Sequence, residues 1–309
     1  MIKIIEKENN VLNMDYTIKS DDKNILQILK NRFGFSSNYI KYLKNNNLIL
    51  LNNIPVYITH PIEHNNCLTI ILPNDEESEN IVPLDYNLDI LYKDKFLIIV
   101  NKPSNMPIHP SMNHYGDSLS NALKNYYLKH NYNFKIRPIN RLDKDTSGIV
   151  LFAKYPFIQE QLSIQMKNNT FIKKYMAFVE GIFEPQSGII NLPIVRKNNS
   201  IIERTVDIND KTQKSQASTI YKTIKCFDGY SQVEFQLISG KTHQIRVHSS
   251  HLGHPLIGDT LYGKPSDLIS RQALHCYLVE FIHPITKQRI RITSKLPKDM
   301  SWNSKKDRD

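Results

Sequence analysis

The chain has 309 residues, 40% of them hydrophobic and 23% charged, which suits about two packed domains and excludes a generally disordered chain. Against 30 Asp and Glu stand 40 Lys and Arg, a formal net charge of +10 that favours a polyanionic partner, nucleic acid before anionic membrane. Cys67, Cys226 and Cys276 lie far apart, which excludes a disulfide framework or thiolate metal site and fits a reducing compartment. Residues 1–10 lack the apolar core of a signal peptide, and no apolar run approaches the ~20 residues that span a bilayer. A cytoplasmic protein without membrane association is expected.

Residues 14–73 read as a small module of helices and strands. Ser20, Asp21 and Asp22 can cap a helix that carries Ile25, Ile28 and Leu29 on one face and ends at Gly34. Ser36 or Ser37 can cap a second helix, with Ile40 and Leu43 toward the core and Lys41 and Lys44 together on a neighbouring face. Two apolar runs, 48–51 and 54–58, meet at Asn52-Asn53, where tolerance of positive φ predicts a hairpin turn. A last strand over 68–72 ends at Pro73. Helix, helix and hairpin with basic residues on the second helix resembles the S4 RNA-binding domain, which implies RNA contact by Lys41 and Lys44. A small α/β module that touches no RNA stays open as the alternative. Residues 74–83 then carry Asp75, Glu76, Glu77 and Glu79, an acidic linker that an RNA backbone would repel.

A second domain is expected over 84–298, with a polar tail at 299–309. Its first apolar strand, 96–100, breaks at Asn101-Lys102-Pro103. Asp117 or Ser118 caps a helix running to about His130. Residues 149–153 are a continuous apolar run bounded by Gly148 and by Lys154 with Pro156, hence a buried strand. Just before it Arg141, Asp143, Lys144 and Asp145 fall in quick succession. A polar loop fixed to a rigid strand is where reactive groups are usually presented, although Asp143 alone would be an ordinary loop carboxylate. Pro156 suits the first turn of a helix bearing Phe157, Leu162 and Met166. Residues 173–179 alternate as a strand that puts Tyr175 and Ala177 on one face. Residues 196–215 are a polar hairpin or loop, and 219–226 pairs with 231–238 about Asp228-Gly229.

The stretch 240–248 reads Gly-Lys-Thr-His-Gln-Ile-Arg-Val-His. Thr242 is a good N-cap, Gly253 ends the helix, and His243 and Arg246, three apart, share a face. The helix N-terminus would offer amides to a phosphate. His243, His248, His251 and His254 step around the helix rather than falling four apart with a carboxylate, so no metal site is expected. Asp143 and Asp145, two apart in one loop, do not suit the flanking pair of a glycosidase, and Asp145 is expected to be structural.

Arg141-Leu142-Asp143, with Thr146-Ser147-Gly148 and the apolar strand, resembles the signature of the RluA-type pseudouridine synthases, which isomerise chosen uridines in RNA. The resemblance continues through Tyr175 after its Lys pair, the 240–248 stretch, residues 252–256 and 258–263, Ala273-Leu274-His275 and the turn at 281–284. Asn140 departs from it, standing where the family usually has His. The resemblance implies an α+β catalytic domain built on a mixed, largely antiparallel sheet, with the active-site cleft across it. It implies Asp143 as the catalytic carboxylate, Arg246 as its charged partner, and Tyr175 against the uracil, stacking on it or helping to remove its C5 proton. Arg141 would fill the gap left when the uridine leaves the stack. Further RNA contacts are implied for Lys102, Thr146, Lys241, His243 and Gln244. The base detaches, rotates and rejoins through carbon with no net redox change, so no cofactor is expected. Family analogy points to large-subunit ribosomal RNA first and transfer RNA second, with a monomeric enzyme. A catalytically inactive, S4-bearing RNA-binding protein and an N-glycosidase releasing uracil to water remain as competing readings.

Overall fold

Alternating burial begins almost at the first residue. In the computed structural model, which describes residues 2–6, 11–72 and 80–301, β1 (Ile2–Glu6) pairs antiparallel with β2 (Leu12–Thr17), whose Leu12, Met14 and Tyr16 face inward. There follow α1 (Ile25–Asn31), α2 (Ser37–Asn45), β3 (Ile49–Leu51), β4 (Ile54–Pro55) and β5 (Cys67–Leu72). The five strands make one sheet in the order β1-β2-β5-β3-β4. The module therefore starts ahead of residue 14, with β1, three of whose five residues are isoleucine, as its edge strand. The two helices bury Ile25, Ile28, Leu29, Ile40 and Leu43 as their spacing requires. Asn24 caps α1, accepting from the Gln27 amide at 2.8 Å, while Asp21 and Asp22 are drawn instead to Arg32 at 2.6 and 3.0 Å. Asn52 and Asn53, with φ of 50° and 66°, make the hairpin turn. Most of the expected acidic linker lies outside the described residues.

The second unit comprises β6 (Ile90–Lys93), β7 (Leu97–Lys102), α3 (Leu119–Lys129), β8 (Ser147–Ala153), α4 (Pro156–Lys167) and β9 (Ile172–Glu180). It continues with β10 (Ser187–Asn191), β11 (Ile194–Arg196), β12 (Arg204–Val206), β13 (Ser218–Phe227) and β14 (Tyr230–Leu237). The last elements are α5 (Gln244–His251), β15 (Leu274–Ile282) and β16 (Arg289–Thr293). Nine strands form one sheet in the order β10-β13-β14-β9-β15-β8-β7-β6, with β16 also paired to β15. Every pairing is antiparallel except β15 with β8, so the fold is α+β with a mixed, largely antiparallel sheet. β8 is buried along its whole length, which is why it reads as an unbroken apolar run. The polar stretch 196–215 holds the turn and second strand of the β11–β12 hairpin, whose first strand begins at Ile194.

The two units share an apolar seam on α4. Phe157 meets Phe35 edge-on at 4.6 Å and stacks on Tyr39 at 5.8 Å. Gln161 donates to the Gly34 carbonyl at 2.6 Å, Ser36 bonds Glu160, and Lys95 pairs with Glu6 at 2.7 Å. The core of the module is thus continuous with that of the large sheet.

Candidate active site

Asp143 lies in the loop that enters β8, at the point where β8 and β15 run parallel. Backbone contacts hold this loop. Asn140 uses both ends of its amide, donating to the Ile149 carbonyl and accepting from the Leu151 amide, each at 2.9 Å. The Thr146 amide returns to the Asp143 carbonyl at 3.1 Å. Gly148 faces Cys276 of β15 with φ of 118°, and a Cβ there would sit 2.3 Å from the Cys276 carbonyl oxygen. Only glycine lets the two strands close, which explains the residue at the end of the Thr-Ser-Gly triplet. On the other side of β15, Cys276 is in register with Tyr175 of β9, so the loop and the tyrosine are brought together by adjacent strands.

α5 supplies the basic side chains that face Asp143. It begins at His243, whose left-handed φ of 59° serves as the cap, while Thr242, expected as the cap, is exposed. Gln244, 2% exposed, ties the helix start to the sheet, donating to the Ser218 carbonyl at 3.0 Å and Thr219 Oγ1 at 2.9 Å. Arg246 then reaches Asp143 Oδ2 through Nη1 at 3.1 Å. Its Nε and Nη2 donate to the two oxygens of Asp259 at 2.7 and 2.8 Å. Asp259 is fully buried and also accepts from the amides of Leu261 and Tyr262. Burial works against the Arg246 charge, but its bonds to Asp259 and the nearby Asp143 more than offset this and raise its pKa. His243 places Nε2 3.9 Å from Asp143 Oδ2 and bonds the Tyr262 hydroxyl through Nδ1 at 2.8 Å. Burial, and to a lesser degree Arg246, lower its pKa against the pull of Asp143, favouring the neutral ring. Tyr175 is 4% exposed. Burial first, then Cys276 and Asp143, push its pKa well above the usual phenol value, so at neutral pH it is a protonated phenol rather than a phenolate.

An open cleft of ≈ 350 Å³ unites these groups, lined by Arg141, Asp143, Thr146, Tyr175, Lys241, His243, Gln244 and Arg246. Of the residues expected to touch RNA, Arg141 is exposed, and Lys241 is half-buried with Nζ on the Lys214 carbonyl. Thr146 and Gln244 are buried and hold protein partners, so they shape the wall. Lys102 is a correction. At 1% exposure its Nζ donates to the carbonyls of Pro103, Met106 and Lys144, each at 2.8 Å, and it braces the loop from behind. Lys41 and Lys44 are exposed on α2, in the other unit and outside the cleft lining. Asp259 and Tyr262 were missed as site residues; their signal was the stretch 258–263, quoted for its resemblance and given no role. Among the described residues no group of three or more His, Cys, Asp or Glu is placed to hold a metal ion, and His248 and His254 are engaged by Thr219 and by the Glu180 carbonyl. No helix among the described residues is long and apolar enough to cross a membrane.

A loop carboxylate held by a doubly anchored arginine thus shares one open cleft with a buried tyrosine. The profile of the RNA pseudouridylate synthase family matches residues 96–251. The chain is 38% identical to YjbO, an uncharacterized RNA pseudouridine synthase of Bacillus subtilis strain 168, over 81% of this chain and 87% of that one. It is 34% identical to the ribosomal large subunit pseudouridine synthase D of Buchnera aphidicola subsp. Schizaphis graminum, over 82% and 85% of the two chains. The solved structure of human RNA pseudouridylate synthase domain containing 4 superposes with a TM-score of 0.55 over 68% of this chain and 89% of that one, at 22% identity, a likeness of fold. The chain belongs to the RNA pseudouridylate synthase family, in its RluA/RluD-type branch, and is an isomerase acting on RNA.

Proposed function

We propose that this enzyme isomerises specific uridines of large-subunit ribosomal RNA, with Asp143 as the catalytic carboxylate. The observation that carries the chemistry is the position of Asp143. It is the carboxylate that lines the cleft, 28% exposed at its side chain and bonded to Arg246 through one oxygen. Its other oxygen is left to face a substrate. The reaction breaks the C1′–N1 bond and forms C1′–C5; C5 loses its proton and the freed N1 gains one, so atoms and electrons balance without a co-reactant. Arg246 orients the carboxylate through its Nη1 bond, Tyr175 offers its ring and hydroxyl to the uracil, and Arg141 at the exposed rim enters the vacated stack. The ribosomal target rests on the relatives named ribosomal large subunit pseudouridine synthase D. The N-terminal module, with Lys41 and Lys44 outward on α2, acts as an S4-like RNA-binding unit, and the protein works in the cytoplasm as a monomer.

The test is Asp143→Asn, which keeps size and removes the charge. The variant should bind substrate RNA like the parent and release no tritium from RNA labelled at uridine C5. Normal release by the variant would place the chemistry elsewhere. Pseudouridine maps of cellular RNA with and without the gene decide the target: a site lost from transfer RNA alone overturns the ribosomal assignment, and free uracil as the product overturns isomerisation.

A further inference from the structure

Residues beyond 298 were expected to be a polar tail, yet the chain through Ser301 is placed, and it reaches the catalytic loop. Lys298–Met300 forms one 3-10 turn. Met300, 1% exposed, is buried in a small cluster with Phe178, Ile257, Ile269 and Ala273. This anchor sets Asp299 beside Arg271. The pair is two-pronged, with Nε to Oδ2 at 2.8 Å and Nη2 to Oδ1 at 2.9 Å. The side chain of Arg271 is 7% exposed and that of Asp299 44%. The rest of the guanidinium points into the loop. Nη1 donates to the Asp145 carbonyl at 3.0 Å and to those of Gln272 and Leu274 at 3.1 and 3.3 Å, and Nη2 approaches Ser147 Oγ at 3.4 Å. Lys102 meanwhile holds the carbonyl of Lys144. Two buried basic side chains therefore grip consecutive carbonyls, the first two after Asp143.

We propose that Arg271, oriented by Asp299, is a positioning residue for the isomerisation: it fixes the backbone of the loop so that the Asp143 carboxylate is held at its reacting position. The C-terminal turn then belongs to the catalytic apparatus although it touches no substrate. The physical reason is directional. A planar guanidinium locked at two corners by a carboxylate has its remaining N–H bonds aimed along fixed lines. Without Asp299 the buried cation loses its counter-charge and is free to turn toward the solvent or the loop carboxylates. Small misplacement of a reacting group is costly in rate while binding contacts elsewhere persist.

The inference rests on Asp143 as the catalytic carboxylate, and the experiment separates the two. Full-length parent, Asp299→Asn, Asp299→Glu, Arg271→Lys and Asp143→Asn are compared by single-turnover tritium release at saturating enzyme, RNA affinity and thermal melting. Asp299 is partly exposed, so its amide variant keeps shape and should fold. Its single-turnover rate constant should fall by about 10- to 100-fold, with RNA affinity within about twofold of the parent. Arg271→Lys should fall at least as far, because one ammonium cannot reproduce the fork. Asp299→Glu should recover much of the rate. A parental rate constant in Asp299→Asn sinks the proposal, as does a loss confined to the folded fraction with the rate constant unchanged. An active Asp143→Asn overturns the reading beneath it instead.

Discussion

At the scale of single residues the site depends on one arginine serving two carboxylates of different character. Asp259 is buried and receives two of the three bonds; Asp143 is part-exposed and receives one. Asp259→Asn should therefore act mainly on stability, because breaking a buried ion pair costs about 3–5 kcal/mol, whereas Asp143→Asn should leave the melting temperature close to the parent value. Equal melting of the two variants would contradict this division. Arg246→Lys keeps the charge but not the fork, and its rate in the tritium assay should stay within about tenfold of Arg246→Ala. Gly148→Ala should abolish soluble expression, since its Cβ would enter the Cys276 backbone. That Asp143, Tyr175 and Arg246 share one cleft could be expected from the sequence because each lies in a local motif. The counter-charge of a buried arginine could not, since Asp259 lies in another segment and only the packed helix brings the two together. Lys102 misled for a related reason: a sequence displays a cation but not the three carbonyls that enclose it.

At the scale of elements the module and the catalytic unit are joined at Phe157. Deleting the module to test RNA binding would expose that ring and confuse loss of contact with loss of stability. Lys41→Ala with Lys44→Ala is the cleaner probe, because both side chains point outward from α2. RNA affinity should fall, and the slope of log affinity against log salt should drop by about one to two. An unchanged slope would remove this helix from the RNA path. Most helices were readable from apolar spacing, and α2, α3 and α4 start at the cap or proline expected of them. α1 and α5 do not. Asp21 and Asp22 had a stronger claim on them from Arg32, and His243 adopts a left-handed turn that places its ring in the cleft. Competition for the Asp21 and Asp22 side chains decided the first, and the backbone conformation of His243 the second.

At the scale of the whole molecule, burial of histidines sets the response to acid. His275, 1% exposed, is pushed down to about 4, mostly by burial and also by Arg271. Burial lowers His248 and His243 as well. Unfolded histidine titrates near 6.5, so the unfolded chain binds the extra protons. Stability from these groups is complete above about pH 6.5 and is lost as pH falls toward 4, with His275 alone accounting for about 2 kcal/mol at pH 5. Melting at pH 7.5 and 5.0 should show the drop, and His275→Gln should flatten it; an identical acid profile in the variant would refute the assignment. The α+β class was legible from alternating and continuous apolar runs, but strand order was not, because no local pattern says that β15 lies between β9 and β8. That insertion has a consequence for synthesis. The strands of the module are all made early, whereas the middle of the large sheet waits for one of the last strands made. Until residues 274–301 emerge, Gly148 and Tyr175 have no Cys276 between them and Arg271 has no Asp299. A stalled or prematurely terminated nascent chain can therefore carry the exposed Lys41 and Lys44 without an assembled Asp143 loop, so that the capacity to modify RNA arrives only at the end of translation.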